Sequence, residues 1–300
     1  MFGMGLILAL SGGFGWVASD ALRKRLANDV PAMSLAVWLA VGQLALLLVA
    51  APILIALGNL GGWSEWRVEF SYWQYALPTF LCTAIGHVLF LQALKVSDLG
   101  LTIPYLSFSP IFVLVFAIVF LQEWPTPIAL LGLLIVAVGA FFLNPARTNG
   151  DTSTVDRAGF QKGAVLMVCT AVCWSAAAAF DKAALAHSSF LTHLILLLAS
   201  TVVLLLLTQL MFKRLRGHQQ GSLSWFLLTL VCIAMVGALA LQLAAYVYWD
   251  VAYVEAVKRS IGLVGAVIVG TAVFKEANLG KRLLAVVVMA SGTALIILGG

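Results

Sequence analysis

Runs of about twenty apolar residues, separated by short polar gaps, occupy almost the whole of this chain, and that is the length of helix that crosses the hydrocarbon core of a bilayer. Ten such runs are read, at 4–22, 33–57, 73–94, 99–121, 126–143, 163–181, 189–212, 225–249, 252–274 and 282–298. Helix is the only secondary structure that fits them. An open sheet edge has no hydrogen-bond partners in lipid, and the strands of a closed barrel alternate in polarity every second residue. The fold class predicted is therefore all-α and integral to the membrane, with ten transmembrane helices.

Composition closes the soluble alternative, since 63% hydrophobic residues with only 10% charged ones cannot be buried in a globule of 300 residues. The formal charge of +5 does not point to nucleic acid, because most of the basic residues lie in the gaps between spans. No Lys or Arg precedes the first run and no small-residue cleavage site follows it, so 5–22 is expected to be a retained span. Cys82, Cys169, Cys173 and Cys232 all lie inside apolar runs without metal-ligand spacing, so no metal site is expected. Trp63, Trp66, Trp73, Trp124, Trp225 and Trp249 stand near span ends, as interfacial anchors do.

One clearly polar stretch, 144–161, divides the spans into a first repeat at 1–143 and a second at 162–300. A shift of 158 places Gly5 on Gly163, Trp16 on Trp174, Ala18 on Ala176 and Lys24 on Lys182. A shift of 153 places Ser107 on Ser260, Glu123 on Glu276, Ala137 on Ala290 and Gly139 on Gly292. These ordered matches indicate an internal duplication. Five is odd, so the second repeat must cross the membrane in the opposite sense to the first. Of the 17 Lys and Arg, all but Arg67, Lys182, Lys258 and Arg259 lie in odd-numbered gaps. The positive-inside rule then predicts cytoplasmic odd loops and both termini outside.

Charged residues inside spans are the candidates for chemistry, because each costs about 3 kcal/mol at the bilayer centre on insertion scales. Glu255, Lys258 and Arg259 open the ninth span. At 100° per residue Glu255 and Arg259 share a face with Gly262, Ala266 and Gly270, while Val257, Ile261, Val264 and Ile268 point the other way. The small-residue face is expected to look into the bundle with Glu255 and Arg259 paired, and the aliphatic face to look at lipid. An ion pair close to the headgroups is the simpler alternative.

Arg23 and Asp181 occupy equivalent positions in the two halves and suggest gates or coupling groups together with Glu255; the alternative is that both snorkel at the interface. His87 is read either as a core histidine or as a proton relay. Gln242, Tyr246 and Tyr248 can bond a ligand or join helices. Pro104 and Pro110 interrupt the fourth span and mark it as a binding region.

The tryptophans Trp16 and Trp174, the proline in SFSPIFVLVFAIVFLQE, the segment VKRSIGLVGAVIVGTAVFKE and a glycine in each half's last helix together resemble EamA-type proteins of the drug/metabolite transporter superfamily. The second half departs from the pattern with Leu263 where the first has Pro110. The resemblance implies a ten-helix transporter of two inverted five-helix repeats, with a central cavity lined by helices 1, 3, 4, 6, 8 and 9. It places Trp16, His87, Tyr105, Trp174, Gln242, Glu255 and Arg259 near that cavity.

The expected activity is secondary transport of a small polar metabolite, anionic or zwitterionic, by alternating access. Its substrate-binding residues are read as those seven with Tyr246 and Lys258. No GxxxxGK[ST] loop and no HExxH set occur, so no ATP, cofactor or enzymatic reaction is expected. A lipid or lipid-linked-sugar flippase, or a membrane scaffolding subunit, is the rival reading. The expected location is the bacterial inner membrane, as a multi-pass protein in contact with lipid, with room for a homodimer.

Overall fold

The computed structural model describes residues 2–56, 66–96, 103–142, 157–211, 223–274 and 279–299. Among them the chain forms ten helices and no strand: α1 (Phe2–Asp29), α2 (Ala32–Ala56), α3 (Tyr72–Val96), α4, α5 (Pro127–Phe142), α6 (Arg157–Ala186), α7 (Phe190–Met211), α8 (Trp225–Tyr248), α9 (Val251–Phe274) and α10 (Leu279–Gly299). Helix α4 changes form twice, from a 3₁₀ turn (Ile103–Phe108) through an α segment (Ser109–Phe116) to a π segment (Ala117–Leu121). Pro110 sits in the first turn of the α segment, the position in a helix that best tolerates proline. Gln122 ends the run in the left-handed conformation, with φ 57°.

Among the described residues six helices are long and apolar enough to cross a membrane, and Ser109–Leu121, Pro127–Gly139 and Val287–Gly299 are shorter apolar helices. The protein is a multi-pass integral membrane protein. Two helices outrun their apolar cores: α1 continues to Asp29, taking Arg23 into the helix, and α6 begins at Arg157, inside the stretch read as polar linker. A helix satisfies its own backbone, so polar residues at its ends do not stop it. Trp66, Trp73, Trp124 and Trp225 are exposed, as anchors should be. Trp249 is buried instead, against Tyr253 and beside Gly5; Trp63 lies outside the described residues.

Helix α3 lies along α6, α1 along α8 and α9, α5 against α10, α2 against α7, and α4 between α6 and α9. Glycine permits the closest crossing: a Cβ on Gly132 would stand 2.6 Å from the Gly292 carbonyl, and one on Gly292 2.8 Å from that of Gly132. The turns at 66–71, 122–126, 187–189 and 249–250 share one end of the bundle. Ser189 N donates to Arg67 O, Lys182 Nζ to Trp249 O, and Thr126 Oγ1 to Gly299 O.

The interior divides into two apolar cores. One holds Ala9, Phe80, Val113, Ala178 and Leu243; the other holds Leu26, Phe90, Leu106, Ala171 and Met235. Along five helices the polar or aromatic candidates fall between members of the two cores: Trp16 on α1, His87 on α3, Ser109 on α4, Ser175 on α6 and Gln242 on α8. They form a layer at mid-depth, and α9 supplies its charges.

Candidate functional site in the polar mid-layer

The layer is built first by the α8–α9 hairpin. Its turn is only Trp249–Asp250, so the last turns of α8 face the first turns of α9, and Tyr246 and Gln242 come opposite Glu255 and Lys258. Tyr246 donates to Glu255 Oε1 at 2.7 Å and accepts from Gln242 Nε2 at 2.5 Å. Gln242 Oε1 accepts from Trp16 Nε1 at 2.7 Å and from Lys258 Nζ at 3.1 Å. Lys258 closes the ring by an ion pair with Glu255 and lies 5.9 Å from the Trp16 ring centre. Gln242, Tyr246 and Glu255 are buried, which is tolerable only because each finds partners.

Two expectations for α9 are corrected here. Glu255 pairs with Lys258, three residues on, and Arg259 turns to α4 to donate from Nε to Ser109 Oγ at 2.7 Å. Tyr246 holds the carboxylate toward α8, on the Lys258 side. The aliphatic face is not a lipid face at its start: Val257 is fully buried, and Ile261 packs against Gly13 of α1. Helix α9 enters between α1, α4, α8 and α10, so its first turns have protein all round. A Cβ on Gly262 would meet nothing within 4 Å, while Val264, Ala266, Ile268 and Gly270 lie among the residues whose surroundings are outside those described.

On α1, Trp16, Ser19, Asp20 and Arg23 recur at helical spacing, and the Arg23 side chain leans back toward the helix N-terminus. It pairs with Asp20 and spans the Trp16 and Phe90 rings, at 5.9 and 5.1 Å. Phe90 meets Trp174 at 5.2 Å and Trp174 meets His87 at 5.8 Å, edge to face. The equivalent tryptophans are thus joined through Arg23 and Phe90. Arg23 is only 3% exposed, so the snorkelling alternative does not describe it. Its Nε is buried without an acceptor among the described residues, beside a small space lined by Leu39, Gln43, His87, Leu91 and Met235. Tyr105 is partly buried on the 3₁₀ turn of α4, against the same core as Trp16 and Trp174. Tyr248, at the end of α8, is next to the Gly5 backbone.

Asp181 lies apart from this cluster. It is 4% exposed and accepts from His193 Nε2 at 3.1 Å, while His193 Nδ1 meets the Tyr72 hydroxyl at 3.1 Å. Beyond it, Lys182 pairs with Glu123, donates to Trp249 O at 2.9 Å and stands 3.7 Å from Asp250, tying α6 to the ends of α4 and α8. Burial raises the Glu123 carboxyl above its ordinary range, with Lys182 pulling the other way. The sequence equivalents Lys24 and Glu276 lie outside the described side chains. Sequence reasoning did not single out His193, Tyr72, Ser109 or Ser175. A signal existed for one of them: His193 is an ionisable residue in the leucine-rich run FLTHLILLLAS, and such a residue is a functional candidate by default.

Residues 3–144 match the EamA-like transporter family. No curated protein matches the sequence. A crystal structure at 16% identity superposes with a TM-score of 0.72, covering 97% of this chain and 95% of the other, a likeness that shows the fold alone. The EamA-type resemblance therefore stands on residues 3–144.

Proposed function

With an EamA-like transporter segment at residues 3–144 as the premise, we propose that the chain is a secondary transporter that moves a small anionic or zwitterionic metabolite by alternating access through the polar mid-layer. One observation carries the choice of cargo: the layer holds more positive than negative charge. Glu255 is matched by Lys258, and Arg259 forms no ion pair among the described residues. The unsatisfied Nε of Arg23 adds a second donor. Trp16 and Trp174 supply flat apolar walls, His87 and Tyr105 polar edges, and Gln242 and Tyr246 fixed donors and acceptors. Arg259 suits a carboxylate or phosphate, because its planar fork bonds such groups in two places.

Packing supports two inverted five-helix repeats at 1–143 and 162–300. Exchanging each helix with the one five places away turns the α3–α6 pairing into α8–α1 and α4–α6 into α9–α1, and leaves α5–α10 and α2–α7 unchanged. Contacts support the shift of 153: Gly139 packs on Met289, and Gly292 packs on Val136, which that shift places on Met289. The end of α6 lies with the turns 66–71 and 249–250, whereas α1 must end opposite, because α2 runs to that same end. Arg23 and Asp181 therefore stand toward opposite ends as gating or coupling groups, and Lys182 clamps one end shut while the site is empty.

A lipid flippase would carry its polar groups on a lipid-facing groove, and Gln242, Tyr246 and Glu255 are buried. The expected setting is the bacterial inner membrane, with odd loops cytoplasmic, and a homodimer is compatible with the exposed apolar belt. The test is counterflow in proteoliposomes with a radiolabelled pool of amino acids and carboxylic acids. Wild type should exchange label with an unlabelled pool, and Arg259→Ala should exchange at least tenfold more slowly per folded protein, the scale of one charge-assisted bond of about 1.5–3 kcal/mol. Equal rates would end the binding role of Arg259.

A further inference from the structure

The buried Asp181–His193–Tyr72 chain belongs neither to the cargo cluster nor to the Lys182 clamp, and nothing in membrane anchoring calls for it. An apolar pair would fill the α3–α6–α7 contact at no electrostatic cost. We propose that Asp181, His193 and Tyr72 form a proton-binding site that couples cargo movement to a proton gradient, one proton moving in the same direction as each anionic cargo. The inference rests on the transport reading and names its coupling ion.

The geometry allows two protonation states without loss of a contact. With the imidazole neutral, the Tyr72 hydroxyl donates to His193 Nδ1 and Nε2–H donates to Asp181 Oδ1; with the imidazole protonated, Nδ1–H donates to the hydroxyl oxygen and the Asp181 bond is unchanged. A hydroxyl is both donor and acceptor, so turning it is the only rearrangement required. The chain carries one negative charge in the first state and none in the second. His193 and Tyr72 are both fully buried, so that difference is felt inside the protein and not screened by water.

Other titratable groups near Asp181 fix the direction of coupling. Tyr72 and Cys82 face it from α3, His193 from α7, Tyr246 from α8 and Glu255 from α9. Its neighbour Lys182 is committed to Glu123, Asp250 and Trp249 O. Glu255 is therefore the charge through which the two sites sense each other. When an anionic cargo draws Lys258 away from Glu255, the freed carboxylate adds negative potential at Asp181, and proton binding there becomes more favourable. By linkage a bound proton favours cargo equally. The proton enters from water at the end of the bundle where α6 and α7 meet and leaves to water on the other side with the cargo.

Two measurements on the full chain decide this. In proteoliposomes with the labelled pool of amino acids and carboxylic acids, a pH gradient should drive wild-type accumulation above equilibrium. Asp181→Asn and His193→Gln should keep counterflow and lose that accumulation. Accumulation that persists in Asp181→Asn overturns the proposal. Absence of counterflow in wild type would instead sink the transport reading, and the proton site is then judged on the ¹⁵N signals of the histidine rings in nanodiscs, His193 being assigned by its loss in His193→Gln. A His193 ring that changes protonation as the pH is varied, and does so differently in Asp181→Asn, upholds the site. A ring that keeps one form throughout overturns it.

Discussion

Replacing Tyr246 by Phe removes one oxygen from the centre of the mid-layer and leaves a side chain of nearly the same shape. Two bonds go with it: the 2.7 Å donation to Glu255 and the 2.5 Å bond accepted from Gln242. A hydrogen bond to a charged group is worth about 1.5–3 kcal/mol, and a buried donor left without an acceptor costs about 1–3 kcal/mol. Glu255 retains Lys258, while Gln242 Nε2 loses its acceptor; two bonds through one hydroxyl are not additive, so the larger of the two sets the scale. At about 1.4 kcal/mol per factor of ten, the arrangement competent for transport should be depleted by roughly ten- to a hundredfold. Counterflow normalised to folded protein reads that loss, and thermal unfolding in detergent reads any share paid as stability. A cycle with Glu255→Gln adds a control: if the hydroxyl acts through Glu255, the double variant should be little worse than Glu255→Gln alone. Wild-type counterflow and unchanged unfolding in Tyr246→Phe would refute the idea that this network holds the site.

Gly262→Leu should insert and fold normally yet block counterflow, because a side chain there has open space before it; equal activity would show that the space is not on the cargo path. Gly86→Ala puts a Cβ into the Trp174 indole and should cost about 1–3 kcal/mol of stability, as overpacking does, with Trp174→Phe in the same chain recovering part of it in thermal unfolding. At the bundle end, the His187 hydrogen bond holds the Glu69 carboxyl below its ordinary value. That contact stabilises the fold above the ordinary carboxylate range and is lost as pH falls through the lowered value, so Glu69→Gln should flatten the acid side of the unfolding profile. A C-terminal fusion that fluoresces only in the cytoplasm should stay dark, and a bright one would reverse the orientation assigned from the odd-loop Lys and Arg.

Span positions were legible because the bilayer imposes one length on every helix, and the helices begin and end near the apolar runs except where α1 and α6 extend beyond them. The charged start of α9 was legible for the same reason: Glu255, Lys258 and Arg259 stand out against lipid. Which charge pairs with which was not. Glu255 and Arg259 share a helical face, yet the choice is made by Tyr246 on the neighbouring helix and by Ser109, 150 residues away. Face assignment failed at Val257 and Ile261 because a helix enclosed by others has no lipid side to show. Trp249 failed likewise: nearness to a span end predicts an anchor only where that end is exposed, and the two-residue α8–α9 turn folds it under.

The proposed duplication also bears on how the two ends of the bundle are held. Trp16 and Trp174 keep the same residue in both halves, and so do Gly139 and Gly292, which pack from opposite sides of the α5–α10 contact. Arg23 and Asp181 do not. Asp181 recruits His193 and Tyr72, joining α6 to α7 and α3 through buried bonds, and the adjoining Lys182 adds α4 and the α8–α9 turn. Arg23 takes its counter-ion from its own helix, at Asp20, and meets α3 at the face of Phe90. Bonds between helices must break for an end to open, whereas a bond within one helix moves with it. On the proposed repeat, these positions are expected to act as a strong latch at one end and a weak one at the other. Exchanging the two residues, as Arg23→Asp with Asp181→Arg, should weaken the first latch without building a second, since α2 offers no histidine where α7 has His193. A cysteine at Ser175 should then be labelled faster from the Lys182 end than in the parent chain, and unchanged labelling would place the latch elsewhere.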